Sequence, residues 1–222
     1  DMLKIFMHLA SDEDVKIRTE VARVTPDPET LHLMLTDSDP DVRSMVAHNL
    51  STKRDDLAAL ASDPHDWVRS SVAQNINCPP MKLVELANDP DPDVRVYLAH
   101  NQCLPMAAMS ILASDLDFDV VHSLLEHRWL TSEVLHLILQ NPLSQFVCPA
   151  TRPDHEFSNP EQVPVLIREQ VARHRFLSPE DALTLSKDEV VSVRVQVAEH
   201  CFTLSILGDL SRDPDEYVRS AV

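Results

Sequence analysis

Apolar positions recur along the chain in short groups with helical spacing. In DWVRSSVAQN (residues 66–75), Val68, Val72 and Ala73 fall on one side of a helix. In PMKLVELA (residues 80–87), Leu83, Leu86 and Ala87 do the same. The residues around them read as punctuation. Asp63-Pro64 opens the first helix, because a carboxylate can accept the unpaired N–H groups of a first turn and proline fits there. Asn75 closes it, in the left-handed conformation that asparagine tolerates. Pro79-Pro80 then starts a second short helix, and Asn88-Asp89 ends the unit. No run alternates at the strand period, which predicts an all-α chain.

The unit repeats. SDPHDWVRSSVAQNINCPPMKLVELAND begins at Ser62 and returns 26 residues later as NDPDPDVRVYLAHNQCLPMAAMSILASD, from Asn88. The arginines Arg18, Arg43, Arg69, Arg95, Arg168, Arg194 and Arg219 stand 25, 26, 26, 73, 26 and 25 residues apart. Within the long interval His122 holds the arginine's place, and Cys148 follows 26 residues on. An aspartate precedes most of these arginines by six residues, at Asp12, Asp37, Asp63, Asp89, Asp188 and Asp213. Asn49 and Asn101 match Asn75, with His174 and His200 in the later copies. His48, His100 and His127 share a second position of the unit.

The copies are expected near residues 12–36, 37–62, 63–88, 89–114, 115–140, 165–187 and 188–212, with a partial one at 213–222 and an irregular proline-rich segment at 141–164. Each helix is about two turns long, below the roughly 12–15 residues at which an isolated helix is even marginal in water. One copy cannot cover its own apolar side, so neighbours must, and the prediction is a single solenoid of about eight copies over residues 1–222.

The stretch SDPHDWVRSSVAQNINCPPMKLVELA resembles the leucine-rich repeat variant unit along its whole length, and the likeness extends over nearly all of the chain apart from residues 140–164. The resemblance implies a right-handed superhelix of alternating α- and 3₁₀-helices without strands; the residues themselves do not say which helix is 3₁₀. It also implies an iron–sulfur cluster held by closely spaced N-terminal cysteines. This sequence has no such group, so no cofactor is expected within it and a cluster would have to lie upstream. HEAT-type repeats are a more distant likeness, with a longer period.

Composition narrows the function. The single glycine, Gly208, against 16 prolines leaves no phosphate-cradling loop, because such loops need glycine where backbone approaches an anion. The net charge of −17 argues against a nucleic-acid partner. No apolar run approaches the roughly 18 residues of a membrane span. Cys78, Cys103, Cys148 and Cys201 are widely separated, as expected of a reduced, cytoplasmic protein. The chain stops in mid-copy, the expectation being that it is a piece of a longer protein.

Candidate chemistry is thin. The recurring residues Asp37, Arg43, Asn49, Asp63, Arg69, Asn75, Asp89, Arg95, Asn101, Asp188, Arg194, Asp213 and Arg219 are expected to cap helices and bridge copies, because their spacing follows the repeat. Of the eleven histidines, His48, His100, His127, His174 and His200 fall one per copy at the repeat positions, which suits a line of polar groups and not the convergent ligands of a metal site. Trp67 is expected to cover the end of a neighbouring copy. Long irregular segments often carry function, so Phe146, Arg152, His155 and Phe157, with Trp129 nearby, are the candidate partner-binding residues. The expected function is a non-enzymatic interaction module whose acidic, curved surface takes another protein through a basic segment. The alternatives are a redox or iron–sulfur-linked accessory protein, implied by the resemblance alone, and a HEAT-like DNA-processing enzyme, which the charge disfavours.

Overall fold

The structure, a computed structural model, describes residues 2–145 and 162–222. Among the described residues there are seventeen α-helices and no strand. The chain forms two compact units, Asp1–Ile111 and Leu112–Val222.

The first unit holds α1 (Met2–Leu9), α2 (Val15–Val24), α3 (Pro28–Leu33), α4 (Pro40–His48), α5 (Arg54–Leu60), α6 (Asp66–Gln74), α7 (Pro80–Leu86), α8 (Pro92–Ala99) and most of α9 (Met106–Leu112). The first helices of successive copies, α2, α4, α6 and α8, pack one on the next. The second helices flank them, with α5 against α4 and α6, and α7 against α6 and α8. The apolar sides meet between these layers. Val42, Val46 and Ala47, then Val68, Val72 and Ala73, then Val94, Leu98 and Ala99 are fully buried, as are Leu57 and Leu83 below them. Burying each leucine contributes on the order of 2 kcal/mol.

The second unit holds α10 (Phe118–Leu125), α11 (Ser132–Gln140), α12 (Pro142–Gln145), α13 (Val163–Ala172), α14 (Pro179–Leu185), α15 (Val191–His200), α16 (Leu204–Leu210) and α17 (Glu216–Ala221). Here α13 packs against α10, α11 and α12, and the series continues through α15 to α17. The arginine of α13 shows how the stack resumes after the irregular segment. Arg168 Nη1 donates to the carbonyl of Ser144, 24 residues back, at 2.7 Å. Its counterpart Arg43 donates to Asp37, only six back.

Two expectations change in detail. Both helices of each copy are α-helical among the described residues, and 3₁₀-type bonds occur in the turns that close them, after the first helix, where Asn75 N–H donates to Val72 O at 3.1 Å, as well as after the second. Asp63 N–H donates to Leu60 O at 3.0 Å and Asp89 N–H to Leu86 O at 3.0 Å, three residues back in each case. These bonds tighten the helix end and use carbonyls that have no partner within it.

The asparagine does not close its helix by turning left-handed. Asn75 is extended, at φ −71° and ψ 119°, and no residue with positive φ occurs among those described. Its side chain is needed elsewhere, as shown below. The opening of the helix also differs between copies. Asp39 and Asp91 are true N-caps, each followed by proline and accepting the N–H two residues on at 2.8 Å. Asp63 stands two residues ahead of its helix cap, His65, and accepts the His65 N–H at 3.0 Å.

Candidate interaction surface

Five copies are fastened to the next by the arginine in the middle of the first helix. Arg43 Nη1 donates to its own copy's Asp37 carbonyl at 2.7 Å, while Nε and Nη2 clasp both carboxylate oxygens of Asp63 in the following copy, at 2.7 and 3.0 Å. The same fork joins Arg18 to Asp37 (2.7 and 3.0 Å), Arg69 to Asp89 (2.6 and 2.9 Å), Arg168 to Asp188 (2.7 and 3.3 Å) and Arg194 to Asp213 (2.8 and 3.1 Å). Arg95 and Arg219 direct Nη1 to the carbonyls of Asp89 and Asp213, at 2.7 and 2.6 Å.

Two parallel N–H···O bonds between opposite charges are both strong and directional. The pairs are nearly out of water: the Arg43 and Asp63 side chains are 11% and 5% exposed. Burial works against the charge of Asp63, but the Arg43 fork and the His65 N–H outweigh it and hold the carboxyl below its ordinary value. Asp37 is held low in the same way, against burial, by Arg18 and the Asp39 N–H. For Asp213 the Arg194 fork is the main cause of the same shift.

The asparagines make a second set of bridges. Asn75 Nδ2 donates back to Ala47 O (2.7 Å) and Asn49 O (3.2 Å), and its Oδ1 accepts the Asn77 N–H at 2.9 Å. Asn49 reaches Ala22 and Thr25, Asn101 reaches Ala73 and Asn75, and Asn141 reaches Ala113 and Asp115. These bonds satisfy carbonyls at helix ends, which would otherwise be buried without donors.

The geometry regroups the histidines. His127 and His174 accept the N–H two residues on through Nδ1, from Trp129 and Phe176, which is the asparagine's local role. His127 is buried and lies 26 residues after Asn101, so it belongs to that position and not with His48 and His100. At the C-terminal end of α15, Cys201 takes the place, its Sγ accepting the Thr203 N–H at 3.4 Å. His200, one residue earlier, instead contacts Gln196 O through Nδ1, as His100 contacts Val96 O. Burial pushes the His174 imidazole below its ordinary pKa, with Arg175 adding to the shift.

With those residues turned between copies, other side chains remain outward. On α4 the outer positions are Asp41, Met45 and His48; on α6, Trp67 and Gln74, with Ser71 between them buried; on α8, Asp93, Tyr97 and His100. Spacings of three, four and seven residues keep each set on one side of its helix. Arg23, His48 and Gln74, at the ends of three successive first helices, line a cleft of about 340 Å³ with Met45 and Leu50. In the second unit His136 Nδ1 meets Asp181 Oδ1 at 2.7 Å beside a shallow depression, and the Asp181 carboxylate raises the imidazole's pKa. Among the described residues no group of three His, Cys, Asp or Glu side chains could hold a metal ion.

Of the candidate partner-binding residues, Trp129 is described. It is 56% exposed, with the Arg128 guanidinium 5.5 Å from its ring centroid. Phe146, Arg152, His155 and Phe157 lie outside the described residues, as does Cys148. Trp67 is 43% exposed, and its ring stands 4.7 Å from that of His65, in its own copy. Sequence reading named His48, His100 and Trp67 but did not set Trp67 beside Asp41 and Asp93; the repeat period alone would have done so.

Short α-helices stacked copy on copy, with a recurring arginine fork between neighbours, define an all-helical repeat protein. The chain is similar over 98% of its length, and 79% of the other's, to a solved leucine-rich repeat variant described as having a novel repetitive structural motif, at 28% identity and a TM-score of 0.66. In architecture it is similar to a leucine-rich repeat variant. Two engineered proteins of known structure align with it at 16% and 15% identity, with TM-scores of only 0.35 and 0.33. No family model and no curated protein matches the chain.

Proposed function

We propose that this chain is a non-enzymatic interaction module that presents the outer sides of its first helices to another protein. One observation carries the reading: the recurring arginines, aspartates and asparagines are turned between copies, whereas the outward set of α6 departs from those of α4 and α8. Asp41, Met45 and His48 give way to Trp67 and Gln74, and these to Asp93, Tyr97 and His100. A constant framework under a varied surface suits recognition, as in other stacked-repeat proteins.

The net charge of −17 favours a partner segment that is basic. The widely spaced cysteines fit a cytoplasmic setting. No helix among the described residues is long and apolar enough to cross a membrane.

Cross-linking with mass spectrometry in the native cell tests the proposal. A partner linked near Asp41, Trp67 or Asp93, and released as salt rises, is the expected result. Recovery of no partner, or of one held only through the second helices, overturns it.

A further inference from the structure

We propose that the outer edge centred on Trp67 docks an extended segment of another protein whose Lys or Arg side chains are about three residues apart. This rests on the interaction-module reading and gives that module a site and a partner chemistry.

Asp41, Trp67 and Asp93 occupy one position of three successive copies, 26 residues apart. Their helices are held in register by the arginine forks and by Ser44 Oγ and Ser71 Oγ, 2.8 Å apart. Asp41 and Asp93 are exposed and sit in the first turn of α4 and α8, where a carboxylate complements the partial positive charge of a helix start. A tryptophan does nothing of that kind. Nor is Trp67 needed by the core, since Val68, Val72 and Ala73 are fully buried beneath a ring that remains 43% exposed. A second aromatic, Tyr97, is 46% exposed on the outer side of α8.

Charge selects what such a ring would take. Asp66 adjoins Trp67 on α6, with Asp41 and Asp93 on the helices to either side. The nearest arginines, Arg43 and Arg69, are committed to Asp63 and Asp89. Lys16 holds the same position on α2, so the acidic edge starts at α4. An exposed indole between carboxylates is suited to an ammonium or guanidinium group, held by the ring face and by charge together. Packed helices lie roughly 10 Å apart. An extended chain in the polyproline II conformation advances about 3.1 Å per residue with three residues per turn, so every third side chain would face the edge and meet a new copy. An acidic segment or a nucleic acid would be repelled from the same edge.

The test is fluorescence anisotropy on the full chain with three labelled synthetic peptides. One carries Arg at every third position among Ser, one clusters the same arginines, and one replaces Arg by Glu. The spaced basic peptide should bind, shift the Trp67 indole resonance, and weaken with added salt. Trp67→Leu should reduce its affinity about tenfold, whereas Trp67→Phe keeps most of it. Asp41→Asn and Asp66→Asn should each weaken it severalfold. Unchanged circular dichroism shows that the variants fold. Equal binding by Trp67→Leu, equal binding of the clustered peptide, binding of the Glu peptide, or no binding at all overturns the proposal. A cellular partner linked elsewhere on the first helices would then leave the module reading standing without this site; the lack of any partner would remove both.

Discussion

Arg43 holds Asp63 across the boundary between two copies with both prongs of its guanidinium, Nε to Oδ2 at 2.7 Å and Nη2 to Oδ1 at 3.0 Å. The pairing spans 20 residues of sequence and closes one rung of a series that recurs from Arg18 to Arg69 in the first unit and at Arg168 and Arg194 in the second.

Removing one partner of such a pair strands the other. Arg43→Ala leaves a 5%-exposed Asp63 carboxylate without its fork and should cost about 3 kcal/mol. Arg43→Lys keeps the charge but loses the two-pronged geometry, so the loss should be smaller. Arg219→Ala, at an exposed arginine, should change stability by less than about 0.5 kcal/mol. Urea denaturation of the three variants orders them; equal loss from Arg43→Ala and Arg219→Ala would remove the fork from the account.

Asn75 is the asparagine whose loss is most informative. Asn75→Ala removes two donors from buried carbonyls and should cost about 2 kcal/mol. Asn75→Asp should cost more, since a carboxylate cannot donate and would face the Ala47 and Asn49 oxygens. If the aspartate variant proves the more stable, the donor role is wrong.

Acid should act on the two units at different pH. The folded-state pKa values of Asp37, Asp63 and Asp213 are depressed, so their stabilisation is present above the ordinary carboxylate value of about 4 and is lost as pH falls through the lower folded values. His174, in the second unit, is depressed below the ordinary histidine value of about 6.5. Its contribution is also lost on acidification, but at higher pH. Hydrogen exchange near pH 5 should therefore show α13–α15 opening while α4–α8 stay protected. Simultaneous opening would contradict this.

His136 titrates the other way. Asp181 raises its pKa, so the pairing stabilises fully below about pH 6.5 and is lost as pH rises through the raised value. Nuclear magnetic resonance titration should find the His136 imidazole above the ordinary value, and Asp181→Asn should bring it down. No change in that variant would show that Asp181 is not the cause.

The cysteines should separate by reactivity. Burial raises the Cys78 thiol to about 12, leaving almost no thiolate at neutral pH, whereas Cys103 is exposed. A thiol reagent should modify Cys103 first and Cys78 only as the first unit unfolds. Cys78→Ser should leave the fast phase intact; its disappearance would reverse the assignment.

Much of this framework is legible in the amino-acid order. The 26-residue return of Val-Arg and Asn, and the apolar triplets Val68–Val72–Ala73 and Leu83–Leu86–Ala87, locate both helices of a copy. Position-by-position reading failed where one residue type serves two positions. His48, His100 and His127 look alike in sequence, but only His127 is buried and accepts a backbone N–H from Trp129. Trp67 misled in the other direction, because an aromatic in a helix is usually core and this one is not.

The sequence by itself determined that the chain must stack: helices of four to ten residues cannot stand alone, and their single apolar sides demand neighbours. Only the tertiary structure decided which partner each polar group takes. Asp37 lies six residues before Arg43 and gives it only a carbonyl, while the carboxylate that Arg43 clasps comes from Asp63 in the next copy. The reason is geometric. Adjacent helices bring together atoms that the chain separates by a full copy, and a guanidinium fork goes to the carboxylate that meets both its prongs in plane.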